Sequence, residues 1–402
     1  MAASTEKTLL AQVYSPAGTF IKTWSEITFR GFTAQLNSGP GECIVTRAVP
    51  FDYDGGDLRE GNEVRLTVTD RDTRDFTDEG EFNVGTIYRG YISLIEREID
   101  AQSEVVTVHL LGYYTLLSLD VLKNGSQTTL YSKSTTGLST TSGDLNPTDV
   151  GLMARAVIDR FNAETTSSRI SYEAADVPNT GTNATYIFEQ KTYREAIDKL
   201  KELAPENVYW YVDEIGRFSF KEIPATPTHT FIFGRHFTRV RVERSLETVR
   251  NVLLLWDGAS TYKSYTDTGS IALYGRRVAR INDFGSSNVN AMAALAAKFL
   301  AENKEPGSKL ICTILDNNNV RDMGYDIESI RPGDTCRLLG FSSELSDIFR
   351  DNMLITRVNY TLEAVEIEVE LVKSGLLDVQ ARQSREISDI SSGGLGIPTT
   401  YS

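Results

Sequence analysis

The chain has 402 residues, 40% of them hydrophobic and 24% charged, with a formal net charge of −14. That length holds about two to four domains, and the balance is that of an ordinary water-soluble protein. An acidic excess with no long basic block excludes a chain built to grip nucleic acid, although such a chain can surround DNA without holding it.

No run reaches the ~18 apolar residues of a membrane span, and Leu9–Val13 is too short for a signal peptide's apolar core. Synthesis in the cytoplasm and solubility there are expected. Residues 8 to 115 read as all-β. Leu9–Tyr14 and Thr19–Trp24 flank the turn Ser15-Pro16-Ala17-Gly18, and Ile27–Leu36 leads through Asn37–Gly41 into Cys43–Val49. In Glu63–Thr69, Val64, Leu66 and Val68 alternate with Glu63, Arg65 and Thr67, the period of a half-buried strand. Asp70–Glu81 is an acid-dense loop, and Ile87–Ile95 and Glu104–Leu111 are further strands. Short strands at regular spacing without helices predict a barrel or sandwich.

From residue 116 the character changes. Ser126–Ser142 is rich in Ser, Thr and Gly and reads as an exposed loop. Asn146 as cap, Pro147 at the first position and Asp149 in the first turn predict a helix whose face carries Val150, Met153, Val157 and Phe161. Thr192 and Glu195 form a capping box for a second helix that Pro205 stops. A hairpin follows, Val208–Val212 and Arg217–Phe220 about the turn Asp213–Gly216. Beyond it come a strand at Asn251–Trp256, the stretch Asp267–Arg277, a helix at about 290–302, and strands at Leu310–Leu315, Leu354–Tyr360 and Val365–Val372. Ser384–Ser402 is too poor in apolar residues to form a core and reads as a tail.

One phrase occurs twice. Gly61-Asn62-Glu63-Val64-Arg65-Leu66 is echoed 272 positions on by Gly333-Asp334-Thr335-Cys336-Arg337-Leu338, and each is followed by a strand and then by a strongly alternating one. Two related β-domains around an insertion are expected. A general likeness among β-meanders is the competing reading.

The sequence offers no motif for a catalytic residue, a cofactor site or a metal site. His109, His229 and His236 form no metal triad by spacing, and no HExxH or GxSxG is present. Asp316–Asp322 lacks the glycine and the final glutamate of an EF-hand loop. Asp70, Asp72, Asp75, Asp78 and Glu79 read as a solvated loop, not a glycosidase pair. Cys43, Cys312 and Cys336 read as small buried hydrophobes. Gly275-Arg276-Arg277 is a turn with two cations, either a partner contact or a plain surface turn. Glu366, Glu368 and Glu370 alternate with Val365, Ile367, Val369 and Leu371. They form either a solvated face that discourages edge pairing or the lining of a passage through which DNA slides without sticking.

The order of phrases from Asn251 to Val372 resembles the last barrel domain of phage tail hub proteins, the baseplate hub family at the tip of long-tailed phages and related injection machines. Trp210-Tyr211-Val212-Asp213 followed by Gly216-Arg217-Phe218-Ser219-Phe220 resembles that family's middle segment. The resemblance covers about residues 8–375. It implies a mainly β fold with an α+β insertion: two related β-barrel domains flanking a small α+β middle region. The expected divisions are 1–115 for the first barrel, 116–235 for the middle, 236–375 for the second barrel with one helix, and 376–402 for the tail. It also implies a structural virion protein at the tail tip. The missing motifs add the expectation of no enzymatic activity and no cofactor, and the missing signal peptide that of synthesis in the host bacterial cytoplasm. A homotrimer would join a six-fold tail tube or distal tail ring to a three-fold central fibre or spike. The tape-measure protein would be a further partner, and DNA would pass through. A cell-wall-degrading tail enzyme and a β-rich carbohydrate-binding adhesin are the alternatives. Against the adhesin, Trp24, Trp210 and Trp256 lie in strand-like apolar runs.

Overall fold

The alternation becomes a ladder of strands in the computed structural model, which describes residues 8–50, 53, 55–69, 86–99, 104–124, 127–128, 132–134, 137–139, 148–165, 169–184, 191–205, 207–256, 262–281, 289–315, 327–341, 352–362 and 364–371. The first seven strands are β1 (Thr8–Tyr14), β2 (Phe20–Trp24), β3 (Thr28–Gln35), β4 (Pro40–Val49), β5 (Glu63–Thr69), β6 (Thr86–Ile99) and β7 (Glu104–Gly112). Their inward residues Val13, Trp24, Cys43, Val45, Val64, Leu66, Val106 and Val108 are fully buried. Burial of that apolar surface is what stabilises the sheet, since an exposed ladder alone gains little.

The middle region opens with three short ladders. They are β8 (Lys123–Asn124) with β9 (Gln127–Thr128), β10 (Ser132–Ser134) with β11 (Gly137–Ser139), and β12 (Thr148–Asp149) with β13 (Asn183–Ala184). Part of the expected loop 126–142 is therefore a small hairpin. Helices α1 (Val150–Thr165) and α2 (Tyr193–Leu203) pack with the hairpin β14 (Val208–Val212) and β15 (Phe218–Glu222) around Met153, Val157, Phe161, Ile197, Leu200, Trp210 and Phe218. The capping box at Thr192 and Glu195 forms as expected. The start of α1 is corrected. Its cap is Asp149, whose carboxylate accepts from the amides of Gly151 (2.8 Å) and Leu152 (3.4 Å). The same carboxylate takes the amides of Thr180 and Gly181, which tie it to a loop some thirty residues on. Asn146 and Pro147 lie outside the described residues.

The remaining elements are β16 (His229–Ile232), β17 (Val240–Ser245), β18 (Val252–Trp256), β19 (Tyr262–Thr266), α3 (Thr268–Tyr274), β20 (Val278–Ile281), α4 (Val289–Asn303), β21 (Gly307–Leu315), β22 (Thr335–Leu339), β23 (Met353–Tyr360) and β24 (Ala364–Leu371). The chain divides into two compact units, 1–241 with 311–370, and 242–310 with 371–402. In the second unit the sheet β19-β18-β20 packs Leu253, Leu255, Ala279 and Ile281 against Met292, Ala296 and Phe299 of α4. Residues 242–310, expected within the second barrel at 236–375, have a core of their own. The acid loops Asp70–Glu81 and Asp316–Asp322 and the tail 376–402 lie outside the described residues.

The large sheet runs β17-β21-β24-β23-β3-β4-β7-β6-β5-β1-β2, with β22 also on β23 and β16 on β22. Two closed barrels are not what the described strands make. The strands of both expected barrels share this one sheet, because β22 starts at Thr335, just after the Gly333 turn that closes on Ile355, and leaves the edge of β23 beyond Ile355 open. It covers Met353 and Leu354 of β23, and β3 takes the rest of that edge, Arg357–Tyr360 against Gln35–Phe32.

Candidate functional site

One strand order occurs twice in the sheet. The order β3-β4-β7-β6-β5-β1 recurs as β17-β21-β24-β23-β22-β16. At the end of the order the directions differ: β1 is antiparallel to β5, whereas β16 is parallel to β22. The turns before β5 and β22 are the same. Asn62 N–H donates to Arg59 O and Asp334 N–H to Arg331 O, each at 3.2 Å, around Gly61 (φ +84) and Gly333 (φ +95). Glycine at the third place of such a turn supplies the positive φ. Gly61 N–H then donates to Ile92 O and Gly333 N–H to Ile355 O, while Ile92 N–H returns to Asn62 O and Ile355 N–H to Asp334 O. One residue further, Ser93 Oγ donates to His109 O and Thr356 Oγ1 to Glu368 O. This equates Ile92 with Ile355, Ser93 with Thr356, and His109 with Glu368.

The junction between the repeats is aromatic. Phe32 of β3 stacks on Tyr360 of β23 with centroids 5.3 Å apart, and Phe29 and Tyr88 flank the pair. Gly31 crosses Tyr360 so closely that a Cβ there would lie 2.3 Å from Tyr360 O. The hairpin turn of the middle region is held from both repeats. Arg89 of β6 pairs with buried Glu63 and also donates to Ile215 O, while Arg331 forms an ion pair with Glu214. Burial alone would raise the Glu63 carboxyl; the hydrogen bond and charge of Arg89 outweigh it and hold the group below the usual glutamate range.

One face of the sheet is a site of a different kind. Val365, Ile367 and Val369 of β24 are fully buried, so Glu366, Glu368 and Glu370 take the opposite face. Asn359 of β23 donates to Glu366 at 2.9 Å, and Thr33 of β3 donates to Asn359 at 2.7 Å, which carries the face across the junction. It continues on the first repeat. His109 of β7 lies between exposed Glu42 of β4 (2.6 Å) and Glu96 of β6 (3.5 Å), with Glu98 two residues beyond Glu96. The hydrogen bond to Glu42 raises the His109 pKa above its ordinary value, against burial. Arg30 and Arg357 stand exposed on the two junction strands. Acids from both repeats thus meet on one surface. The sequence showed the three on β24; the others were hidden because each strand alone carries only one or two.

The turn Gly275-Arg276-Arg277 is placed in the second unit, after α3. Asp267 caps that helix, and Gly275 ends it at φ +73. Asn251 fixes the turn, donating to Gly275 O at 2.7 Å and accepting from Arg277 N–H at 2.7 Å. Arg277 folds back toward Tyr274 O, which leaves Arg276 as the exposed cation. This turn and the acidic face belong to different compact units.

The other sequence candidates are structural ties. His229 is buried and meets Asp334 at 3.0 Å, which fastens β16 to the Gly333 turn. His236 Nδ1 accepts from Ile232 N–H. All three cysteines are free and buried. No group of three or more metal-ligating side chains occurs among the described residues. Trp24 and Trp210 are fully buried, but Trp256 is 40% exposed beside its cross-strand partner Tyr262.

No family model and no curated protein sequence matches the chain. Solved structures do. The 43 kDa tail protein of prophage MuSo2 from Shewanella oneidensis superposes with a TM-score of 0.59 at 12% identity, covering 91% of this chain and 98% of that one. The tail protein from Neisseria meningitidis MC58 gives 0.56 at 12% identity, covering 92% and 99%. Prophage tail protein gp18 from Listeria monocytogenes EGD-e gives 0.50 at 10%, covering 95% and 99%. At such identities the likeness is one of fold, and the fold is that of phage tail proteins.

Proposed function

We propose that this chain, which has the fold of phage tail proteins, is a structural hub at a phage tail tip. Three copies surround a channel and join a six-fold tail tube or distal tail ring to a three-fold fibre or spike. The observation that carries the reading is the repeat: one turn, one strand order and one set of bonds, present twice and fused edge to edge. Three chains then offer six similar β-repeats to a six-fold ring and a true three-fold surface to whatever lies below. The acidic face suits the channel, because fixed carboxylates lower the affinity of a wall for the phosphate backbone. The tape-measure protein is a further partner of this reading. Native mass spectrometry of the chain mixed with its tail-tube ring protein tests it: three copies per ring are expected, and six copies contradict it.

A second reading rests on Trp256 and Tyr262. An exposed cross-strand aromatic pair is a platform for a sugar ring, and the chain would then also be an adhesin. Glycan-array binding that disappears in Trp256→Ala would favour it.

A further inference from the structure

The repeat map predicts a pairing that one chain cannot make with itself. Inside the chain, the junction joins β3 of the first repeat to the outer edge of β23 in the second, beyond Ile355. In the map β23 corresponds to β6, and β3 corresponds to β17. The outer edge of β6 beyond Ile92 is the counterpart of the β23 edge that β3 occupies. The ladder from β5 ends at Tyr91, and the Gly61 turn closes on Ile92. From there to Ile99 no strand lies on that side among the described residues. At the other end of the sheet order, β17 has β21 on one side and no strand on the other among the described residues.

We infer that β17 of one copy, Val240–Ser245, adds antiparallel to Ser93–Ile99 of β6 in a second copy, repeating between chains the β3–β23 junction within the chain. The inference rests on the hub reading above and names the contact that closes its ring. The occupant follows from three things. The internal junction shows that this type of edge accepts this type of strand. The two edges are different surfaces of one chain, so the contact is head-to-tail and closes after three copies if each turns by a third. The β6 edge carries Leu94 and Ile99 at 47% and 57% exposure, apolar residues that a permanently bare edge strand is selected to avoid.

The test mixes two single variants of the full-length chain, Leu94→Cys and Val242→Cys, and treats them with a short bis-maleimide. The native cysteines are buried, so they add little background. The mixture is expected to give a band at twice the chain mass on a denaturing gel, and neither variant alone should give it. The assembled mass is read on the same samples by light scattering. A trimer without the mixed cross-link, or with a cross-link in Leu94→Cys alone, overturns the strand pairing and leaves the hub reading standing. A chain that stays monomeric at every concentration up to the solubility limit, with and without its tube ring protein, overturns both.

Discussion

Gly61 and Gly333 hold the same place in two copies of one turn, and only one of them has room for a side chain. A Cβ on Gly61 would find its nearest neighbour, Pro16 Cγ, at 3.9 Å, whereas one on Gly333 would lie 2.2 Å from the ring of Tyr209. The backbone demand is shared and the packing demand is not, because the second copy carries the middle region against its turn.

Gly61→Ala is therefore expected to cost about 1–2 kcal/mol, the penalty for a left-handed residue with a Cβ. Gly333→Ala pays the same and a further ~1–3 kcal/mol for overpacking against Tyr209. Urea midpoints of the two variants check this. Equal losses would show that the two turns are packed alike, against the structure.

Buried Glu63 pairs with half-buried Arg89 and Arg65, and Glu63→Gln should destabilise by up to about 3 kcal/mol because it leaves both guanidinium groups without their counter-charge. Changing Glu63 and Arg89 to Met should cost less than the sum of the singles. The folded carboxyl titrates below its unfolded value, so its contribution is complete above about pH 4.3 and is lost as pH falls through the lowered folded value. The gap between wild type and Glu63→Gln in urea should narrow on acidification. A gap that widens in acid would reverse the sign.

His109 should titrate above the ordinary histidine value. Glu42 is the largest cause, burial opposes it, and Glu96 adds to it. The stability this interaction adds is fully present below the unfolded value of about 6.5 and is lost as pH rises through the folded one. NMR titration of the imidazole reads it directly, and Glu42→Gln should lower the midpoint. No response to that change would remove His109 from the acidic face.

Much of the fold was legible in the sequence because most strands declare themselves locally. The alternation of Glu63–Thr69 and Val365–Leu371, the capping box at Thr192 and the paired glycine phrases are all contained in short windows. The joined sheet was not legible. Thr33 and Asn359 meet across more than 300 positions, and no local pattern records such a pairing. The repeat was legible only at its turn. Gly61 and Gly333 are 272 apart, but Ile92 and Ile355 are 263 apart, since 31 positions separate glycine from isoleucine in the first repeat and 22 in the second. Asn146-Pro147 outshone the true cap, Asp149, whose role depends partly on Thr180 and Gly181. The acidic face was half legible: three glutamates on one strand are conspicuous, whereas Glu42, Glu96 and Glu98 join them only through the sheet.

At the junction, Gly31→Ala should part the repeats locally, since its Cβ would strike Tyr360 O and its φ of +95 disfavours any side chain. Hydrogen exchange of the amides Phe32–Leu36, in β3 and just after it, should quicken, while β5 and β6 keep their protection. Unchanged protection at Leu36, which donates to Thr356 O, would show that the junction does not depend on this close approach.

The most direct measurement is electron cryomicroscopy of the tail tip, or of this chain assembled on its tube ring. The account predicts three copies around one channel, with the six repeats in near-six-fold array and Glu42, Glu96, Glu366, Glu368 and Glu370 facing the lumen. Six copies per tip, or three copies with these acids on the outer surface, would contradict it.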